Sequence, residues 1–577
     1  MGVTTFHRAG QNQPSKSSEL FEGFINRPEH GTVVTTAKTT VPCPFAPSSL
    51  SDVGMLFLLR SLNFETASVT LIIVLLSDKY FVVGNLRSLA GQTAVYGISS
   101  IVGRLLNYFL VPMYSRVFLP EESAVYVEMY AYVAFFIVIL TYGMETAFFN
   151  FNQKEENKNR VYSTTLTSLF ITSALFIAAA LIFAQPIASM LRYGDHPEYI
   201  QYFALIVGLD AFTSIPFAKL RAENKAMRFA VIKLIGIFVN IGLNLILLLL
   251  VPYLYKNYSW GPEMLSWISD GEPVVGHIFV SNLVASVVVF ILLIPDIFKI
   301  KFGISFSLLK RMLSYAAPLL ILGLAGIANE TVDRILLKYL LPEDVAMYQL
   351  GIYGMCFKIA IVMSIFVQAF RYAAEPFFFS KQKDADAKQT YADVMKYFVI
   401  IMTAMFLAII LYMDIVKYFV GEEYYSGLKI VPILLYSHVF LGIFYNLSIW
   451  YKLTGQTRFG AYISLIGTAI SVGLNIALIP VIGYMGSAWA NFACYAVMMI
   501  ISYFLGQKYY RVNYDLKRIL SYMIISAGLY FVSVYTTQHL FADNVAQRLV
   551  FNTLLLMVFL IYIAFSEPRL KRIFVRK

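Results

Sequence analysis

Charge is scarce in this 577-residue chain: 14% of its residues are Asp, Glu, Lys or Arg, against roughly 25% in soluble domains. Most of the chain therefore cannot face water, which excludes soluble enzymes, secreted scaffolds and disordered proteins as classes. Cysteine is nearly missing. Cys43, Cys356 and Cys494 are odd in number and far apart, so they form no disulfide framework, no CxxC and no thiolate metal spacing. The histidines (His7, His30, His196, His277, His438, His539) occur singly, which points away from a metal site. No Gly-Lys dipeptide occurs, so there is no P-loop to drive a pump with nucleotide. No cofactor is expected.

What is abundant is apolar and aromatic. Hydrophobic residues make up 59%, with 47 Phe and 40 Tyr, as expected of lipid-facing surface and interfacial anchors. Residues 1–50 are polar, rich in Ser, Thr, Pro and Gly, and read as disordered. They lack a signal-peptide pattern. The best apolar run in 51–83, Ala67–Leu76, is about half the ~20 residues a span needs. Residues 1–85 are therefore expected to be an extension outside the fold, and Val82 or Val83 is a conceivable alternative start.

From Leu86 onward the pattern is regular. Fourteen apolar segments of spanning length fall near 91–113, 125–149, 161–184, 199–218, 228–252, 274–298, 309–334, 345–370, 391–413, 428–451, 459–480, 484–506, 517–536 and 547–566. They are read as helices, because lipid satisfies no free backbone group and the alternating period of a β-barrel is missing. The fold class is an all-α polytopic membrane protein. One set of connections carries about 26 Lys and Arg and the opposite set about six. The basic set is expected in the cytoplasm, together with both ends of the helical unit. The formal net charge of +11 is thus a topology signal with a secondary affinity for anionic lipid, not a nucleic-acid signature.

The chain also repeats itself. Leu119-Pro-Glu-Glu-Ser-Ala-Val-Tyr126 returns 222 positions later as Leu341-Pro-Glu-Asp-Val-Ala-Met-Tyr348. Asn107 then falls on Asn329, and Arg116 on Lys338. Arg228-Phe229, Leu234–Gly236 and Gly242–Asn244 recur as Arg458-Phe459, Leu465–Gly467 and Gly473–Asn475. Six spans separate the copies, so both have the same orientation, as in a parallel repeat about the membrane normal. The expected organisation is a first lobe over 86–300, a second over 301–510, and two extra spans with a basic tail over 511–577. Two such lobes can rock about a cleft, which favours transport.

The runs Leu86–Gly97 (LRSLAGQTAVYG), Gly103–Tyr108 (GRLLNY), Gly143–Phe149 (GMETAFF) and Gln368–Phe377 (QAFRYAAEPF) resemble the bacterial polysaccharide-biosynthesis, O-antigen-type flippases. These belong to the multidrug/oligosaccharidyl-lipid/polysaccharide exporter superfamily. The resemblance covers about 86–566. It implies a flippase, not an enzyme, that moves an undecaprenyl-diphosphate-linked oligosaccharide across a bacterial inner membrane for surface polysaccharide or lipopolysaccharide synthesis.

Ionisable groups inside spans are costly and are candidates by default. Arg104 lies mid-way along the first span, with Asn107 on the same face. Its planar fork suits a diphosphate; the alternative is a structural pair with Glu145. Glu145 itself reads as a gate, a proton acceptor or an interfacial group. Asp210 and Lys233 read as an ion pair or as cleft groups. Asn329, Glu330, Asp333 and Arg334 cluster on the seventh span, where Glu330 and Arg334 are spaced to pair. Lys358 lies among apolar residues of the eighth span and is the second phosphate candidate. Arg371 and Glu375 form either a gate or an interfacial salt bridge. The substrate-binding set is thus Arg104, Asn107, Lys233, Asn329, Arg334 and Lys358. The coupling or gating set is Glu145, Asp210, Glu330, Asp333, Arg371 and Glu375, with H⁺ or Na⁺ as the coupling ion. Two other functions compete. A multidrug or cation antiporter calls for an acidic cleft. A membrane polysaccharide polymerase calls for a large outer loop, whereas the longest here is 253–273.

Overall fold

The computed structural model describes residues 101–567, except Ser269 and residues 542–543. The chain divides into two units, Met1–Val82 and Val83–Lys577, and every described residue belongs to the second. The expectations for residues 1–85, for the start of the first span and for the basic tail lie outside the described residues.

All regular structure among the described residues is helical. Helix α1 is represented by helical residues 101–108 and by Val111–Val117. Thirteen further helices are long and apolar enough to cross a membrane. They are α2 (Pro120–Lys154), α3 (Lys158–Ile182), α4 (Pro197–Ala222), α5 (Ala226–Asn257), α6 (Gly276–Ile297), α7 (Phe306–Leu340), α8 (Glu343–Lys381), α9 (Ala387–Leu411), α10 (Glu422–Leu453), α11 (Arg458–Ile482), α12 (Tyr484–Tyr509), α13 (Leu516–His539) and α14 (Val545–Ser566). They coincide with the thirteen spans expected after the first. The chain is a multi-pass membrane protein.

Several helices outrun their apolar cores. α8 has 39 residues and α7 has 35, more than the ~20 that cross hydrocarbon. The extra turns are polar and amphipathic and continue past the bilayer. At Tyr142 and Gly143, α2 is broken by two successive left-handed residues, with φ of 31° and 71°. Glycine adopts that conformation without Cβ strain, and a Cβ there would also press on the Ala316 carbonyl of α7 at 3.0 Å. The Gly143–Phe149 run is therefore a bend that α7 packs into. Pro216, Pro318 and Pro376 lie inside helices. Pro112 and Pro432 instead occupy first turns, where no amide proton is needed.

Packing repeats between the lobes. In the first, α6 packs on α4 and on α5; in the second, α12 packs on α10 and on α11. The repeated asparagines agree in detail. Asn244 Nδ2 donates to the Asn240 carbonyl and Asn475 Nδ2 to the Ser471 carbonyl, each at 2.8 Å and four residues back. The central helices α4 and α8 are the most enclosed. The lobes meet where α2 packs on α7 and α8.

The last helix, α14, is fastened at both ends, to the short helix Met413–Val416 after α9 and to α9 itself. Arg548 Nε and Nη2 donate to the two oxygens of Asp414 at 2.9 and 3.0 Å. At the other end Lys396 Nζ donates to Glu567 at 2.8 Å. Both residues are half-buried, and breaking such a pair from one side leaves the other charge partly stranded. Asp414→Asn is expected to destabilise the folded protein by about 1–2 kcal/mol, read as a lower thermal midpoint in detergent. Asp414→Asn with Arg548→Met should recover most of it.

Candidate functional site

At the ends joined by the base-poor connections, the two lobes are sealed together. Lys338 of α7 donates to Glu128 Oε2 of α2 at 2.7 Å and to the Leu191 carbonyl at 2.7 Å. Glu128 is 0% and Lys338 2% exposed. A pair this deep lasts only if the remaining lone pairs and protons are also satisfied. Here they are: Tyr132 donates to Glu128 Oε1 at 2.9 Å, Tyr193 donates to Oε2, and the Tyr193 ring lies 3.6 Å from the Lys338 ammonium. Burial first, and then the Glu128 charge, hold the Tyr193 phenol well above its ordinary range, so it stays a donor.

A second joint mirrors the first. Arg116, the repeat mate of Lys338, donates to the Tyr418 carbonyl of the opposite lobe. Leu191 follows the short helix Ala184–Met190 after α3, and Tyr418 lies in the short turn Lys417–Phe419 after α9. In each lobe the cation ending the first helix thus caps a carbonyl at a helix end beyond the other lobe's third helix, where positive charge is favoured. Tyr424 adds a bond to the Phe118 carbonyl at 2.8 Å. At Gly351 a Cβ would lie 1.8 Å from the Pro120 carbonyl oxygen, so only glycine lets α8 approach α2 this closely.

Away from this seal, several basic groups meet no carboxylate among the described residues. Arg104 donates to Gln368 of α8 across the lobe boundary. Arg371 lies one turn beyond Gln368. Its guanidinium sits 4.1 Å from the Tyr445 ring centre, and its buried Nε has no hydrogen-bond partner among the described residues. Arg334 stacks on Phe357 at 4.4 Å and donates to the Glu330 backbone carbonyl, not to its carboxylate. Lys358 lies 5.3 Å from the Tyr126 ring. The anticipated Arg371–Glu375 pair does not form, because Glu375 takes Lys452. Nor does Arg104 meet Glu145, which takes Arg221.

Arg104 and Lys358 do not share one spot. Ten residues of α8 separate Lys358 from Gln368, about 15 Å along a helix. The cations fall at two levels along α8, or stations: Arg104 and Arg371 near Gln368, and Lys358 and Arg334 near Phe357. Asn329 and Asp333 belong to neither. Asn329 is 6% exposed and donates to the Ser464 carbonyl at 3.1 Å. Asp333 is 3% exposed and accepts from Tyr353 and from the Arg334 amide. Both tie α7 to its own lobe.

Beside the first station a cavity of about 440 Å³ opens among α1, α2, α4, α5 and α6, and Asn107, Glu145, Asp210 and Lys233 all line it. Asp210 Oδ1 accepts from Ser286 at 2.9 Å, and the Lys233 ammonium sits 4.2 Å from the Phe217 ring centre. They share the cavity without closing an ion pair. Among the described residues no cluster of His, Cys, Asp and Glu could hold a metal ion.

The sequence reading missed Glu128. With the second span drawn from residue 125, Glu128 fell at its edge; the helix starts at Pro120 and takes it two turns inside. The repeat did mark its partner, by aligning Arg116 with Lys338. If this pair holds the lobes shut, Glu128→Gln should part them. Spin labels at exposed Glu121 and Glu423, on opposite lobes, are expected to report a longer distance in that variant than in the parent.

Comparison with known proteins agrees with this architecture. The structure is similar to that of the lipid II flippase MurJ in an inward closed conformation, with TM-score 0.63 and 15% identity over 82% of this chain and 99% of that one. It is also similar to MATE in complex with MaL6, with TM-score 0.50 and 15% identity over 75% and 96%. At such identities the likeness is one of fold. No curated protein matches the chain by sequence. Residues 89–382 match the polysaccharide biosynthesis protein family, and the chain belongs to that family.

Proposed function

We infer that the protein is a flippase for a lipid-linked oligosaccharide, carrying its diphosphate head group between leaflets of a bacterial inner membrane by alternating access. The observation that carries this reading is the pair of cationic stations along α8. Four bases, three of them half-buried (Arg371, Lys358 and Arg334) and Arg104 more open, rest among the described residues on rings, amides or carbonyls instead of carboxylates. Uncompensated charge in a membrane interior is expensive. Retaining it is sensible where an anion arrives to neutralise it. Cation–π contacts hold such groups meanwhile and leave their N–H donors available.

The base-rich connections are taken as cytoplasmic by the positive-inside rule. Arg104 and Arg371 are then the loading station and Lys358 and Arg334 the releasing one. The Glu128–Lys338 seal is the outer gate. Energy comes from an ion gradient or the membrane potential; Glu145 and Asp210, which line the cavity, are the carboxylates placed to respond to a cation. A cation exporter needs an acidic path, whereas these stations repel cations.

Reconstitution in vesicles with a fluorescent polyprenyl-diphosphate oligosaccharide tests the reading. Arg104→Ala and Lys358→Ala should insert normally yet lower leaflet exchange by roughly tenfold or more each, the value of one charge-assisted hydrogen bond. Unchanged exchange in both variants would remove the stations from the path.

A further inference from the structure

The cargo's two chemical parts, an anionic diphosphate and a neutral sugar, call for two kinds of site. We propose that the cavity in the first lobe is the sugar subsite, which binds the first saccharide units of the cargo while Arg104 and Arg371 hold the diphosphate. This rests on the flippase reading above and goes beyond it by dividing the cargo between named residues.

Charge separates the two sites. The cavity lining carries Glu145 and Asp210 against Arg221 and Lys233, so it is formally neutral, and Glu145 and Arg221 are paired. A diphosphate there would meet as much negative as positive charge, with no net attraction, and like charges across an interface are costly. At the neighbouring station Arg104 and Arg371 have no carboxylate contact among the described residues. The anion belongs with them and not in the cavity.

The polar lining matches hydroxyl and acetamido groups. Asn107, Asn240 and Asn282 supply amides, and Thr213, Ser214 and Ser286 supply hydroxyls. Some of this capacity is spent internally: Asn240 donates to Asn107 Oδ1 at 3.2 Å, and Asn282 donates to Tyr130 at 2.6 Å. What remains unpaired among the described residues is the Asn107 amide NH₂, the Asn282 amide oxygen, one Asp210 oxygen and the Lys233 ammonium. That is a mixed set of donors and acceptors, as a polyhydroxylated ring requires. Its volume of about 440 Å³ lies within the ~300–1,000 Å³ of small-molecule sites.

Position supplies the link. Arg104 and Asn107 are one turn apart on α1, about 4.5 Å along the axis. A diphosphate on Arg104 therefore places its attached sugar beside Asn107, at the cavity wall. Sugar and phosphate are joined by a single glycosyl bond, so adjacent subsites are what the cargo geometry demands.

The test compares two lipids on the full-length protein in nanodiscs: undecaprenyl diphosphate alone, and undecaprenyl diphosphate bearing one N-acetylhexosamine. The readout is the ratio of their dissociation constants. In the parent protein the sugar should tighten binding, giving a ratio well above one. Asn107→Ala and, separately, Asn282→Ala should each reduce that ratio by roughly threefold to tenfold, the value of one neutral hydrogen bond. Arg104→Gln should weaken both lipids and leave the ratio standing. A parent ratio near one, or pocket variants that keep the parent ratio, would overturn the sugar subsite while leaving the flippase reading intact. Failure of the parent to bind either lipid would overturn both.

Discussion

A lipid interior offers charged groups nothing, so each ion inside this bundle must find its partner in the protein or in the cargo. That constraint sorts the charges into two populations. Glu128 with Lys338, Asp414 with Arg548 and Glu567 with Lys396 are matched ion pairs, and they are the joints of the structure. Arg104, Arg371, Lys358 and Arg334 are held by softer contacts. The first population holds helices in place. The second is proposed to wait for phosphate.

Much of the architecture was legible in the sequence, because long apolar runs separated by basic loops are a strong signal and the octapeptide repeat fixed the relation between lobes. Helix limits were less legible. α8 continues eleven residues past the expected 370, since a helix does not stop where hydrophobicity stops. The same blind spot hid Glu128. The candidate residues were legible one at a time: scanning for ions in spans singled out Arg104, Asp210, Lys233 and Lys358 as candidates. It did not find who meets whom. Glu145 pairs with Arg221 and Glu375 with Lys452, contacts between helices far apart in sequence that spacing cannot reveal. The equivalence of Asn107 and Asn329 also misled as to role. The first lines a cavity and the second knots α7 to α11, because a repeat preserves position and leaves surroundings free to diverge.

The lobes have accordingly specialised. The described cavity belongs to the first, where amides and balanced charge sit beside α1. The second contributes α8, whose length carries members of both cationic stations. Such a division suits the proposed cargo, which is greasy at one end, anionic in the middle and hydroxylated at the other, since no single environment solvates all three.

The paired joints at the sealed end share an ancestry in the repeat but not a dielectric. The Lys338 side is enclosed, whereas Arg116 faces outward. Mobile ions weaken exposed charge contacts far more than enclosed ones. Rising ionic strength in the surrounding fluid thus loosens the Arg116 edge first while the Lys338 edge stays fastened. The two edges of the sealed end therefore differ in their response to salt, and the Arg116 edge is the one that yields.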